Sequence, residues 1–279
     1  MKIIDTVPYF MDQYEPSISF LRKYHNEHAP IFKEYFAYHC KDTQERHLQS
    51  IQKYPDHFST IEQVHNNILP IINEIVEAYA QLYRISFPIN VHLIVGGFGS
   101  NAYAHRQIIP NITFALEQLS PEPSHLKAIV AHEFGHAAQN IVSNHADMDW
   151  KMIQWDSPLI WLLQEGAATH FSRQTAPRLQ PSIYFSFNES GDEWLRFCIT
   201  NQEKIKAAFA EDYVKESPRQ LYREWFSIKG GQKFGYHRLG YFVADMFFQD
   251  QMKRLGEMNA ITAWSDEGFV EKARTWLCR

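Results

Sequence analysis

With 279 residues, the chain is long enough for one large domain or two modest ones, and it can bury a core without help from disulfides. Its 45% hydrophobic and 21% charged residues, with only 12 Gly and 13 Pro, exclude a disordered, collagenous or low-complexity protein. The formal net charge of -5 gives no basis for a nucleic-acid surface, an acidic tail or a polybasic membrane anchor. Cys40, Cys198 and Cys278 are odd in number and far apart, which argues against a disulfide framework and a four-cysteine zinc site and points to a reducing, cytoplasmic compartment. No run of 18 apolar residues and no signal-peptide pattern is seen, so the expectation is a soluble protein with neither membrane nor nucleic acid as partner.

In chain order, Ser17 to about Cys40 and Ser59 to Tyr83 carry apolar residues at three- and four-residue spacing, for example Ile61, Val64, Ile68, Ile72 and Ile75. This is the period of amphipathic helices. After Pro88 the period changes: Ile89, Val91, Leu93 and Val95 alternate with Asn90, His92 and Ile94 until Gly96-Gly97, which predicts a strand. Asn111 to Glu117 is a second strand candidate, rich in β-branched and aromatic residues. The Ser120-Pro121-Glu122-Pro123 segment breaks the chain, and Ser124 is read as the cap of a helix running through His132 to about Val142. Ser157-Pro158 opens another helix, to about Arg173, with proline at its first position. From Asp192 onward only helices and connecting loops are expected.

The most informative segment is Ala131-His132-Glu133-Phe134-Gly135-His136-Ala137, an HExxH sequence. On a helix, positions i and i+4 lie one turn apart on one face, so His132 and His136 can direct imidazole nitrogens at one zinc ion while Glu133 projects beside them. There the glutamate can take the proton of a zinc-activated water. For a chain of this His and Glu content, chance produces the pattern roughly 0.05 times. The flanking Ile129, Val130, Ala131, Phe134, Ala137, Ala138 and Ile141 carry no charge, and a buried pair of histidines with a glutamate is costly unless a common partner binds them.

Catalytic zinc takes three protein ligands and an open fourth position. Position 142 is Val142, which excludes the metzincin pattern. His145 lies in a polar stretch. Glu165, in Trp161-Leu162-Leu163-Gln164-Glu165-Gly166-Ala167-Ala168, is a carboxylate on an otherwise apolar helix and therefore needs a cation. The small residues after it allow a close approach to the HExxH helix.

With HEFGH and QEGAATHFS standing 28 residues apart, the sequence resembles the gluzincin metallopeptidases, the clan of thermolysin and the zinc aminopeptidases, and it is similar to predicted bacterial zinc-dependent proteases. The resemblance implies His132, His136 and Glu165 as zinc ligands and Glu133 as general base. It also likens Asn101-Ala102-Tyr103 to the segment by the edge strand that hydrogen-bonds extended substrate, making Asn101 and Ala102 substrate-binding candidates. Gln164 and Thr169 depart from the pattern, Thr169 standing where some members place an aspartate behind the ligands; Asn140 is a candidate substitute. Gluzincins often reach a Tyr or His from the C-terminal lobe to the oxyanion. Tyr236 and His237 are the candidates here, with Tyr241 read as packed deeper, and Arg238 is a weaker candidate for receiving a substrate carboxylate.

The expected architecture is a mostly helical α+β protein: a helical N-terminal region over residues 1–85, a zincin-like core with a small mixed sheet over 86–175, and a helical C-terminal lobe over 176–279. The expected function is zinc-dependent hydrolysis of peptide bonds in peptide or protein substrates, with endopeptidase and aminopeptidase both open. Two rivals stand beside it. One is a zinc-pinned scaffold or binding protein, in which His145 or His170 closes the metal site. The other is a deformylase-like amide hydrolase, for which none of the three cysteines has the required context.

Overall fold

Four short runs of β-branched and aromatic residues pair into one mixed sheet, and the rest of the chain is mostly helical. The computed structural model describes residues 1–188 and 190–279, and the chain divides into two units, Met1–Ala137 and Ala138–Arg279. Among the described residues no helix is long and apolar enough to cross a membrane.

In the first unit the strands are β1 (Lys2–Asp5), β2 (Asn90–Ile94), β3 (Ala102–Ala104) and β4 (Ile112–Ala115), in the order β1-β2-β4-β3. β1 and β2 are parallel, as are β2 and β4, while β3 runs antiparallel to β4 at the edge. β1 extends the sheet into a region expected to be helical. Its four residues are too few to show a period, and only pairing with β2, from Lys2 opposite Asn90 to Asp5 opposite Leu93, makes it a strand. The Asn101 carbonyl accepts from Ala115 N–H, and His105 N–H donates to the Asn111 carbonyl. Residues 101, 103 and 105 therefore face β4, and the alternation of an antiparallel ladder turns the backbone groups of Ala102 and Ala104 outward.

The helices of this unit are α1 (Val7–Gln13), α2 (Ile18–Glu27), α3 (Ala29–Glu34), α4 (Gln44–Tyr83) and α5 (Pro123–His145), whose last turns continue into the second unit. A π-helical turn, Tyr35–His39, follows α3. α4 begins fifteen residues before Ser59 and contains Pro55 and Pro70. A proline there removes one helical hydrogen bond, and the Ile51 carbonyl that Pro55 leaves free accepts from the Tyr14 hydroxyl at 3.3 Å.

The loop that leads to β3 is held by side chains. Glu117, 2% exposed, accepts from the amides of Gly96 (2.7 Å) and Phe98 (3.0 Å). The Tyr35 hydroxyl accepts from those of Gly97 and Gly99. A Cβ at Gly96 would lie 2.5 Å from that hydroxyl oxygen, so only glycine fits. Burial raises the Glu117 pKa from 4.5 to about 7 despite the two amide bonds. The unfolded chain thus releases this proton first, so the stabilising contribution is full below pH 4.5 and is lost as pH rises to 7. The total is at most about 3 kcal/mol. Urea unfolding of the wild type and Glu117→Gln at pH 5 and pH 8 should show the difference between them falling by about 1–3 kcal/mol at the higher pH. A constant difference would show that Glu117 ionises normally.

The second unit contains α6 (Pro158–Thr175), α7 (Ile183–Ser186), α8 (Gly191–Thr200), α9 (Gln202–Lys215), α10 (Pro218–Trp225), α11 (Leu239–Leu255), α12 (Glu257–Ile261) and α13 (Phe269–Leu277). Its centre is the packing of α6 on α11. A Cβ at Gly166 would lie 2.4 Å from the Ala244 carbonyl oxygen and 2.6 Å from Phe248 Cβ, so the absence of a side chain there sets how closely the helices meet. Arg173 and Asp245 join the same helices, with Nη2 to Oδ2 at 2.9 Å. The end of α5 is anchored in this unit by Gln139 Nε2 to the Ile261 carbonyl (3.1 Å) and by Trp264 Nε1 to Ser143 Oγ (2.7 Å). All three cysteines are free thiols.

Candidate metal centre

α5 carries the HExxH sequence because its flanks are helix-forming and apolar, and its position in the first unit is set by α4. The Tyr79 hydroxyl donates to the Ala131 carbonyl at 2.7 Å, one residue before His132. Phe134 meets Phe87 edge-on at 4.9 Å, and Lys127 pairs with Glu74 at 2.6 Å. The helical repeat then sets the two imidazoles edge to face, with ring centroids 5.0 Å apart and planes at 87°. His132 is 2% and Glu133 8% exposed, while His136 is partly open.

Glu165, on α6, completes the group. One ligand atom from each of His132, His136 and Glu165 lies within 4.8 Å of the others, and these three are the only such cluster among the described residues. Two imidazole nitrogens and one carboxylate oxygen are a donor set for zinc. One turn beyond Glu165, the Thr169 hydroxyl is fully buried without a hydrogen-bond partner, a cost of about 1–3 kcal/mol that the packing carries on this face of α6.

His145 is the exposed last residue of α5, and His170 donates to Glu257 at 2.7 Å. The Tyr236 hydroxyl donates to Glu193 at 2.8 Å, and its ring stacks on Phe197 at 4.4 Å. His237 is exposed, with its Nδ1 at 2.6 Å from the Gly230 carbonyl. The Asn101 backbone is turned into the sheet, and its side chain accepts from Ala102 N–H at 2.9 Å, whereas Ala102, 9% exposed, turns its backbone groups to the outer side of the edge strand.

Tyr241, read from sequence as packed core, feels the charge of the candidate ligand Glu165. Burial, and after it the Glu165 charge, push its pKa far above the ordinary value. The helix pairing explains the proximity: Tyr241 precedes Ala244 by one turn of α11, and Ala244 is where Gly166 touches. Arg238 lies over the Tyr241 ring at 4.2 Å and faces Phe187 at 5.4 Å. Nothing in the local sequence separates Tyr241 from a core residue; only the approach of α6 to α11 does.

Two imidazoles and a carboxylate whose ligand atoms lie this close are a group that could hold a zinc ion. The chain belongs to the family described as "Putative zinc dependent peptidase (DUF5700)", whose model matches residues 9–254. Among curated proteins and solved structures, none matches this chain.

Proposed function

We propose that the chain is a gluzincin-type metallopeptidase with a zincin-like core, in which His132, His136 and Glu165 hold zinc and Glu133 is the general base. The observation that carries this reading is the convergence of the three donor atoms within 4.8 Å, two of them on the helix whose motif also supplies Glu133. Zinc, when bound, supplies Lewis acidity that acidifies a water molecule and polarises the scissile carbonyl. Glu133, next to His132 in sequence and 8% exposed, takes the proton from the attacking water and passes it to the departing amine. The edge strand β3 receives an extended peptide through the Ala102 carbonyl and the Ala104 backbone, while Asn101 braces that edge by accepting from the Ala102 N–H. Free thiols at Cys40, Cys198 and Cys278 favour a cytoplasmic site of action.

The oxyanion donor in this reading is Tyr241. Its hydroxyl, like that of any tyrosine, is protonated at neutral pH, as a hydrogen-bond donor must be. Tyr241→Phe should lower kcat by about 10- to 1000-fold with KM and zinc content nearly unchanged. Tyr236→Phe and His237→Ala should stay within a few-fold of wild type, because both side chains are engaged elsewhere. Steady-state kinetics on the three variants decides the assignment, and a collapse at Tyr236 or His237 alone moves the role there.

The activity itself is tested by digesting a mixed peptide library with protein carrying one equivalent of zinc and with chelator-stripped protein. Cleavage should occur only in the first, and the new termini show whether cuts are internal or at the amino end. Cleavage that persists without metal, or zinc-loaded protein that cuts nothing, overturns the proposal.

A further inference from the structure

In the first unit, α2, α3, the π-helical turn and the first turns of α4 border an open concavity of about 850 Å³, with Arg22, His25, Lys33, Phe36, Asp42 and His47 in its lining. None of these is a candidate metal ligand. His25 is 8% and His47 5% exposed, and their ring centroids lie 5.4 Å apart. His25 Nε2 and His47 Nδ1 are buried and make no hydrogen bond. His47 Nε2 lies 3.2 Å from Asp42 Oδ1 without forming a proper hydrogen bond. Two neighbouring histidines buried with unsatisfied ring nitrogens are costly in a core that could hold phenylalanine instead.

The surrounding charge selects the kind of partner. Arg22 and Lys33 bring two cations to the lining against one carboxylate, Asp42, which is 62% exposed and partly solvated. Gln44 and His47, also in the lining, belong to the first turns of the 40-residue helix α4, the end at which a helix presents positive partial charge, although Thr43 already caps the Arg46 amide and Glu45 lies in the same turn. Both histidines are held neutral. Burial and then the His47 charge bring His25 to about 3, and burial lowers His47, with Arg22 assisting and Asp42 opposing. Neutral imidazoles suit a metal ion, but a cation here would meet Arg22, Lys33 and the helix end. The lining is also aromatic, with Phe32 and Phe36 packed at 4.5 and 4.8 Å from the His25 ring.

We propose that this concavity is a binding site for a small organic anion, whose carboxylate or phosphate head meets Arg22, His47 and the amino end of α4 and whose apolar body lies on Phe32 and Phe36. The site is separate from the proposed peptidase chemistry and does not depend on it.

Calorimetric titration of the full, chelator-stripped chain tests this, since removing zinc prevents phosphate from binding the metal centre. The probes are benzoate, phenyl phosphate, benzyl alcohol and benzylammonium. At least one anion should bind at one per chain, with the alcohol and the ammonium at least roughly tenfold weaker, as expected for loss of a charge-assisted hydrogen bond. Comparing the two anions identifies the head group. Arg22→Gln and His47→Phe should each weaken the anion by roughly tenfold or more. Arg22 is exposed, so its variant tests the site even if His47→Phe fails to fold. Equal binding of the alcohol or the ammonium, no saturable anion binding at millimolar concentration, or unchanged affinity in Arg22→Gln overturns the proposal.

Discussion

Glu133→Gln should retain one equivalent of zinc and lose peptide hydrolysis by about 100- to 10,000-fold, the range associated with removing a general base. The substitution keeps the shape and hydrogen-bonding capacity of a side chain that is 8% exposed, so the helix packing around Tyr79 and Phe87 should survive. What disappears is the ability to accept a proton, because an amide oxygen is not basic at neutral pH. Metal content by mass spectrometry, thermal melting and turnover on one cleaved peptide separate the possibilities. Full zinc and an unchanged melt with collapsed turnover assign the base. Turnover near wild type with full zinc removes Glu133 from the chemistry, and joint loss of zinc and stability makes it a structural residue.

Glu165→Ala should act on the metal rather than on the proton. Outer partners of a zinc site already contribute about 10- to 100-fold in affinity, so loss of a direct ligand should weaken zinc by at least that factor. Competition against a chromogenic chelator measures it. Activity in the variant should then return partly at high zinc, a rescue that Glu133→Gln cannot show. Zinc affinity equal to wild type would mean that another group completes the site, with His145 and His170 the first to examine. The close contact of Gly166 with Ala244 offers an independent check, since truncating the neighbouring Glu165 side chain leaves that contact intact and the fold of the second unit should not change.

The part of the site legible in the sequence is the part that one helix makes alone. His132, Glu133 and His136 lie within one turn and a residue, and helical geometry determines their relation whatever the rest of the chain does. β2 and the capping signals before α6 are local in the same sense: Ser157 stands at the cap and Pro158 at the first position. Glu165 was legible for an energetic reason, as an acidic residue on an otherwise apolar helix.

The remainder depended on contacts distant in sequence. β1 is four residues long and becomes a strand only through β2, and α4 runs through Pro55 because Tyr14, 37 positions before Ile51, supplies the hydrogen bond that the proline cannot. Glu117 reads as an ordinary strand-end carboxylate until the fold closes four backbone amides around it and Tyr35. Tyr236, Tyr241 and His237 cannot be ranked by composition or period, since a tyrosine that packs and one that points at a reacting group obey the same helical spacing. What the α6–α11 seam adds is a contact: with no side chain at Gly166, the helices meet closely enough for the Glu165 charge to act on Tyr241. Local sequence specifies which atoms one element presents, and packing between elements, governed by shape and burial over long separations, decides what those atoms meet.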